Sequence, residues 1–281
     1  MIALASNSVL CRLALGAETV DAASFTAIRL LSGALMLVLI LFIRNLHSTE
    51  ANNSVLTAGS WFASSMLFLY AVTFSYAYIT LETGTGALVL FGSVQFTMIL
   101  IAYGKGQHLN GFEWMGIAIS FTGFVVLIWP EIRTPSLFGC VLMAIAGIAW
   151  GVYTLEGKGS TNPLADTTAN FVRSVPLVVL LTLLTLNYVQ LSTTGILLAI
   201  ASGALASGLG YTIWYTALRD LTTTQAAIVQ LTIPLIAAAG GVLFVSEVLT
   251  LRLITSAVLI LCGILVVKVW GSRHSAPTKT S

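Results

Sequence analysis

Charge is what this sequence has least of. Charged side chains make up 8% of the 281 residues, where an ordinary soluble domain carries about a quarter. Apolar residues reach 57%, and the mean hydropathy is +0.97. Such a chain cannot clothe itself in polar surface, which excludes a soluble globule and points to an all-α polytopic membrane protein. A formal charge of +2 with no basic stripe excludes a nucleic-acid partner. The three histidines, His47, His108 and His274, fall in loops or the tail, so neither a metal nor another cofactor is expected. Cys11, Cys140 and Cys262 are odd in number and lie in apolar segments, which reads as packing rather than a disulfide framework. No acidic residue sits mid-helix; Glu156 and Asp166 come closest, so an obvious proton-coupling group is missing. There is no Walker lysine motif and no cluster of nucleophile, acid and base, which argues against ATP-driven transport and against an enzyme. Met1–Leu10 has no basic flank and further spans follow, so it is not a cleaved signal.

What is present is a sequence written twice. Residues 206–234 form two apolar segments joined by a polar turn at Arg219-Asp220, and an offset of 140 lays them on a second such pair that turns at Glu82-Thr83-Gly84. At that offset Phe74 meets Trp214, Ala77 meets Ala217, Thr83 meets Thr223 and Gly123 meets Gly263. A span needs about twenty apolar residues. That measure gives ten helices, at roughly 1–15, 21–43, 56–79, 83–103, 111–129, 136–155, 165–187, 193–218, 222–245 and 250–270. The division is a first five-helix repeat over 1–135, a second over 136–270 and a polar cytoplasmic tail over 271–281. Five is odd, so the second copy enters the membrane upside down, an inverted repeat. Loop charge agrees: with the N-terminus inside, seven basic residues fall on the cytoplasmic side and three outside, which puts both termini in the cytoplasm. Asp21 aligns with Asp166, and carrying that alignment back puts the start of the first helix before residue 1, so the natural protein is expected to begin earlier.

Specific residues carry a resemblance. A Trp150-Gly151 step and a Ser6-Asn7 step open the two repeats; Trp214-Tyr215-Thr216-Ala217-Leu218 precedes the central turn; Pro234 and Ser246-Glu247-Val248-Leu249-Thr250 follow. With ten helices in two inverted repeats, the chain resembles the drug/metabolite transporter superfamily (EamA-type). Within it, the nearest likeness is to bacterial aromatic amino acid exporters. The first repeat departs from the pattern, with Val94 for the proline and Gly106-Gln107 for Gly-Glu. The resemblance implies a bacterial inner-membrane carrier with a central cavity lined by the first four helices of each repeat and the fifth helix peripheral.

Residues able to meet a substrate are those whose presence mid-membrane is costly or unusual. Ser207, Tyr211, Trp214 and Leu218 share one helix face, as do Leu67, Ala71, Phe74 and Tyr78, with Tyr70 adjoining. Aromatic groups several turns from a helix end either line a cavity or pack helices together. Intramembrane polar residues are functional candidates by default, here Asn7, Gln95, Gln230, Arg29 and Arg173. Gln230 stands one turn before Pro234, a proline that frees its carbonyl and suggests a gating break. The candidate substrate-binding set is therefore Asn7, Tyr70, Phe74, Tyr78, Trp150, Tyr153, Tyr211, Trp214 and Gln230, with Pro234 as the break. The expected function is export of small neutral metabolites, aromatic and apolar amino acids first, by a secondary transporter whose other partner is the lipid bilayer. A carrier of drugs or nucleotide sugars, or a membrane structural protein, stays open as an alternative.

Overall fold

The computed structural model describes residues 1–46, 58–104, 106, 111–128, 136–157, 160–218, 230 and 232–274. Those residues form helices, and their one β-type pairing is an isolated antiparallel bridge between Val20 and Leu191. In chain order the helices are α1 (Ile2–Gly16), α2 (Ala22–Leu46), α3 (Trp61–Tyr78), α4 (Thr83–Gly104), α5 (Gly111–Ile128), α6 (Leu137–Glu156) and α7 (Pro163–Thr185). They continue as α8 (Thr193–Ile200), a π-helical stretch (Ala201–Leu209), α9 (Gly210–Leu218), α10 (Thr232–Val245) and α11 (Leu251–His274). Among the described residues five segments are long and apolar enough to cross a membrane: Ala22–Leu46, Thr83–Gly104, Leu137–Glu156, Pro163–Tyr188 and the continuous Thr193–Trp214.

Side-chain caps set several boundaries. Ser60 accepts a hydrogen bond from the Ala63 amide at 3.0 Å and starts α3, while Asn162 with Pro163 behind it starts α7 and Ser192 starts α8. The helix expected from residue 56 therefore begins at Trp61, and residues 56–57 lie outside the described ones. The first part of the helix expected over 222–245, and the turn before it, also lie outside the described residues except Gln230. The last helix runs on to His274, into the polar end of the chain.

One feature of the eighth segment has no signature in hydrophobic periodicity. Between α8 and α9, nine residues form a wider π-helix, a geometry that normally lasts a single turn. The stretch is rich in small residues and lies against α2, where a methyl group on Gly203 would strike the Arg29 carbonyl and the Ser32 hydroxyl. Backbones that close are held by dispersion contacts, the main source of helix association in a bilayer.

The apolar core holds hydrogen-bonded polar groups, and the exterior, unlike that of a soluble protein, is apolar as well. Thr26 donates to Ser75 Oγ at 2.8 Å and Ser64 donates to the Asn170 carbonyl at 2.9 Å, all of them buried. Large apolar side chains such as Leu35, Phe42, Phe138, Leu184 and Phe244 are exposed instead. Water would not tolerate that surface, whereas hydrocarbon solvates it. Contacts run between the halves of the chain: α2 lies on α7 and on the π stretch, α3 on α6 and α7, α4 on α6 and α10, and α1 on α10 and the π stretch. Helices α5 and α11 form a closely packed pair through glycines, with Ser120 Oγ donating to the Ile260 carbonyl at 3.1 Å.

Because the Arg29 backbone carbonyl as well as the Ser32 hydroxyl is in the way of a side chain at Gly203, Gly203→Ala is expected to cost about 1–3 kcal/mol by overpacking. Thermal unfolding of the detergent-solubilised protein measures this, and an unchanged midpoint would mean that α2 and the π stretch part freely.

Candidate functional site

An aromatic chain crosses the boundary between the two halves. Along α3, Tyr70, Phe74 and Tyr78 stand one turn apart, so their rings stack at centroid distances of 5.3 Å (Tyr70–Phe74) and 4.8 Å (Phe74–Tyr78). Tyr70 then meets Trp150 of α6 at 4.8 Å, and Trp150 meets Tyr211 of α9 at 5.2 Å. Tyr211 continues to Phe171 of α7 at 6.0 Å. All are tilted or edge-on arrangements, the geometry the ring quadrupole favours.

A cavity lies beside this chain. Of the residues singled out in the sequence, Asn7, Tyr70, Phe74, Trp150, Tyr211, Trp214 and Gln230 line it together. Tyr78 stands one ring further along, edge-on to Phe74 with its hydroxyl donating to the Thr83 carbonyl at 3.3 Å, and Tyr153 stacks behind Trp150 at 5.4 Å. Leu4, Ser8, Leu90, Phe91 and Thr154 complete the lining. Nothing in the pattern of the sequence separates those five from ordinary helix-packing residues. Only about 20 Å³ is open to the centre of a water-sized sphere, room for about one water. The site is therefore contracted in this conformation, and anything larger requires the rings to part.

Two polar groups anchor it. Asn7 is buried on α1, and its Oδ1 accepts from Ser202 Oγ at 2.7 Å and Ser207 Oγ at 3.4 Å. Those serines are five residues apart, which an α-helix would turn to different faces but an i→i+5 helix brings into line. The π stretch is thus what lets both reach Asn7. The second anchor is Arg29 of α2, only 2% exposed. Its Nη2 donates to the Tyr70 hydroxyl at 2.9 Å, and its guanidinium carbon lies 5.2 Å from the Tyr70 ring centroid and 4.8 Å from that of Phe74. Cation–π attraction and one hydrogen bond hold the charge against the cavity's aromatic wall.

The other polar candidates lie elsewhere. Arg173 donates to the Ala58 carbonyl, and neighbouring α7 side chains hold the same turn: Asp166 accepts from the Gly59 amide at 2.8 Å and Asn170 from the Ser60 amide at 2.9 Å. Gly59 has φ +66, and a side chain there would meet Asn170 Oδ1, so this turn needs glycine. Gln95 is buried on α4, its Oε1 without a partner. Pro234 lies in α10, and residues 221–229 and 231 before it lie outside the described ones.

A wider vestibule of about 460 Å³ opens at the α3–α4 and α10–α11 turns. Glu247 on its wall accepts from both the Thr83 amide and the Thr83 hydroxyl at 2.9 Å, capping α4 from the far half of the chain. Arg12 of α1 lies 3.5 Å from the same carboxylate and donates to the carbonyls of Tyr78 and Ile79 at 3.1 Å. One carboxylate and one guanidinium therefore tie α1, the α3–α4 turn and the α10–α11 turn together beside Tyr78.

Comparison with known proteins gives this arrangement a context. The EamA-like transporter family matches residues 137–269. An uncharacterized protein of Pseudomonas aeruginosa is 45% identical over 264 residues, covering 94% of this chain and 90% of its own length. A probable amino-acid metabolite efflux pump of Escherichia coli is 26% identical over 76% of this chain and 80% of its own. An uncharacterized transporter of Bacillus subtilis is 21% identical over 85% of each. A crystal structure superposes on 97% of this chain and 98% of its own with a TM-score of 0.66 at 17% identity, a likeness of fold.

Glu247→Ala leaves the Thr83 amide and the Thr83 hydroxyl without their acceptor and Arg12 without its ion-pair partner. The expected cost is about 1–3 kcal/mol, read as a lower midpoint in thermal unfolding in detergent. No shift would mean that solvent in the vestibule replaces the carboxylate.

Proposed function

The chain belongs to the EamA-like transporter family, and from that premise we propose that it is a secondary carrier that exports small metabolites with aromatic or apolar side chains, amino acids first, by alternating access. The observation that carries the reading is the aromatic cavity built from both halves of the chain, with Tyr70 and Phe74 from one and Trp150, Tyr211 and Trp214 from the other. A site divided between two halves can open to either face when the halves rock. Aromatic rings offer an apolar side chain large contact area, and Asn7, Gln230 and the neighbouring serines offer hydrogen bonds to its polar end. The Escherichia coli relative, a probable amino-acid metabolite efflux pump, agrees in substrate class.

Ten spanning helices in two inverted five-helix repeats, 1–135 and 136–270, are part of the proposal. Several contacts support it by joining elements in matching positions of the two halves: α2 with α7, α4 with α10, α5 with α11. Ser120 and Ile260, which hydrogen-bond, are 140 residues apart, the offset at which the sequence repeats. Asp21 accepts from the Gln190 amide at 2.9 Å just before α8, and Asp166 accepts from the Gly59 amide at 2.8 Å just before α3, one clamp in each half. Inversion puts the two clamps on opposite faces of the membrane. The basic residues of the loops favour cytoplasmic N- and C-termini in a bacterial inner membrane. On that orientation the vestibule is external, and Arg12, Glu247 and Tyr78 hold the outer side closed. Opening it means separating Glu247 from Thr83 and then the rings of Tyr78 and Phe74.

Trp214→Ala discriminates this reading from a packing role. Loss of ring contact should lower transport of tryptophan relative to alanine by about 10–200-fold, in proteoliposomes at matched protein level. A fall by the same factor for both substrates would make Trp214 structural.

A further inference from the structure

We propose that the Arg29 guanidinium is the docking point for a carboxylate on the transported molecule, so that the carrier selects organic acids, α-amino acids included, over their uncharged amides and esters. The inference deepens the proposed function and rests on it for the assumption that the aromatic cavity receives the substrate.

The argument starts from charge. A guanidinium is always protonated and carries five N–H donors with no acceptor. Arg29 lies seven residues into α2, roughly 10 Å along the helix axis, and 2% of its surface is exposed. Taking such an ion out of water costs several kcal/mol unless another charge compensates it. What the protein supplies is one phenol oxygen, from Tyr70, and the faces of two rings. Nη1 is buried with no hydrogen-bond partner. Arg12 is paired with Glu247, in the vestibule rather than at Arg29. The described acidic residues stand at helix ends and turns: Glu18 and Asp21 after α1, Glu82 before α4, Glu113 at the start of α5, Glu156 at the end of α6 and Asp166 in the first turn of α7. An intramembrane cation in this position asks for an anion that the described residues do not place beside it.

The other half sharpens the point. Arg173 stands in α7, the second helix of the second half, as Arg29 stands in the second helix of the first, and it holds the Ala58 carbonyl in the turn before α3. Arg29 has no such turn to hold. Its contacts are Tyr70 and Phe74, the two α3 side chains that also line the cavity. Rotation of either ring exposes Nη1 to the cavity, and the rings must part anyway for a substrate larger than water to enter. A carboxylate matches the guanidinium fork in shape and cancels its single charge. A phosphate monoester brings close to two charges, and this wall holds a single cation to meet them. With the carboxylate on Arg29, an α-ammonium group falls among the ring faces, which attract cations, and the side chain reaches Trp150, Tyr211 and Trp214.

Purified wild-type protein in detergent is titrated with phenylalanine, 3-phenylpropionate and phenylalaninamide, with thermal stabilisation as the readout, and the same three compounds compete for tryptophan flux in proteoliposomes. Both acids should bind at least about tenfold more tightly than the amide, the discrimination expected when a charge-assisted hydrogen bond is lost. In R29M that ratio should collapse to near one while R29K retains part of it. Equal stabilisation by acid and amide in the wild type, which needs no variant to fold, overturns the proposal, as does stabilisation by none of the three. If the acids stabilise selectively but no aromatic amino acid crosses the membrane, the carboxylate site stands and the proposed transport of amino acids falls.

Discussion

A permanent cation is buried in the apolar interior of a helix bundle, and the surrounding architecture is arranged to keep it there. Arg29 is held by the Tyr70 hydroxyl and lies over the rings of Tyr70 and Phe74. Tyr70 in turn packs on Trp150, and Trp150 on Tyr211, so the position of one guanidinium is coupled to α2, α3, α6 and α9 at once. The backbone under it is equally constrained, since the Arg29 carbonyl is among the atoms that a methyl group on Gly203 of the π stretch would strike. In a bilayer, unpaired polar groups have no solvent to turn to. A charge bound mainly by aromatic faces is therefore a cost that the fold accepts, and such costs concentrate where a protein acts.

In the carrier proposed above, a contracted cavity lies behind a wider vestibule. About 20 Å³ at the aromatic chain contrasts with about 460 Å³ at the α10–α11 turn. Between them stand Tyr78 and the Glu247–Thr83–Arg12 cluster, whose bonds are few and polar. Polar bonds of this kind are suited to a gate: each contributes modestly, and water entering the vestibule can take them over. The seam between α5 and α11 is different in kind, glycine against glycine with backbone in contact, and has the character of a fixed support.

Much of this was legible in the sequence, and the parts that were not have physical reasons. Scarcity of charge and long apolar runs identify a helical membrane protein, and the spacing of Tyr70, Phe74 and Tyr78 and of Tyr211 and Trp214 places aromatic rings on shared faces. What periodicity cannot express is contact between helices far apart in the chain: Tyr70 with Trp150, or Glu247 capping a helix that begins 164 residues earlier. The π stretch escaped because its small residues read equally well as a regular helix, and with it the convergence of Ser202 and Ser207 on Asn7 was hidden. Arg29 and Arg173 look alike in sequence, each an intramembrane arginine in the second helix of its half. Only their surroundings distinguish a cation that tethers a turn from one that has kept a donor in reserve.

The central claim is that substrate occupies the cavity between the two halves. Substrate protection tests it directly. In a background with Cys11, Cys140 and Cys262 replaced, a single cysteine is placed at Thr154, which lines the cavity, and its modification by a small water-soluble thiol reagent is followed in membranes with and without saturating phenylalanine. The account predicts that the cysteine reacts and that phenylalanine slows the reaction severalfold, while a control cysteine at lipid-facing Leu184 is unaffected by the ligand. Modification of the Thr154 position at the same rate with and without phenylalanine, in protein that transports it, would contradict the account.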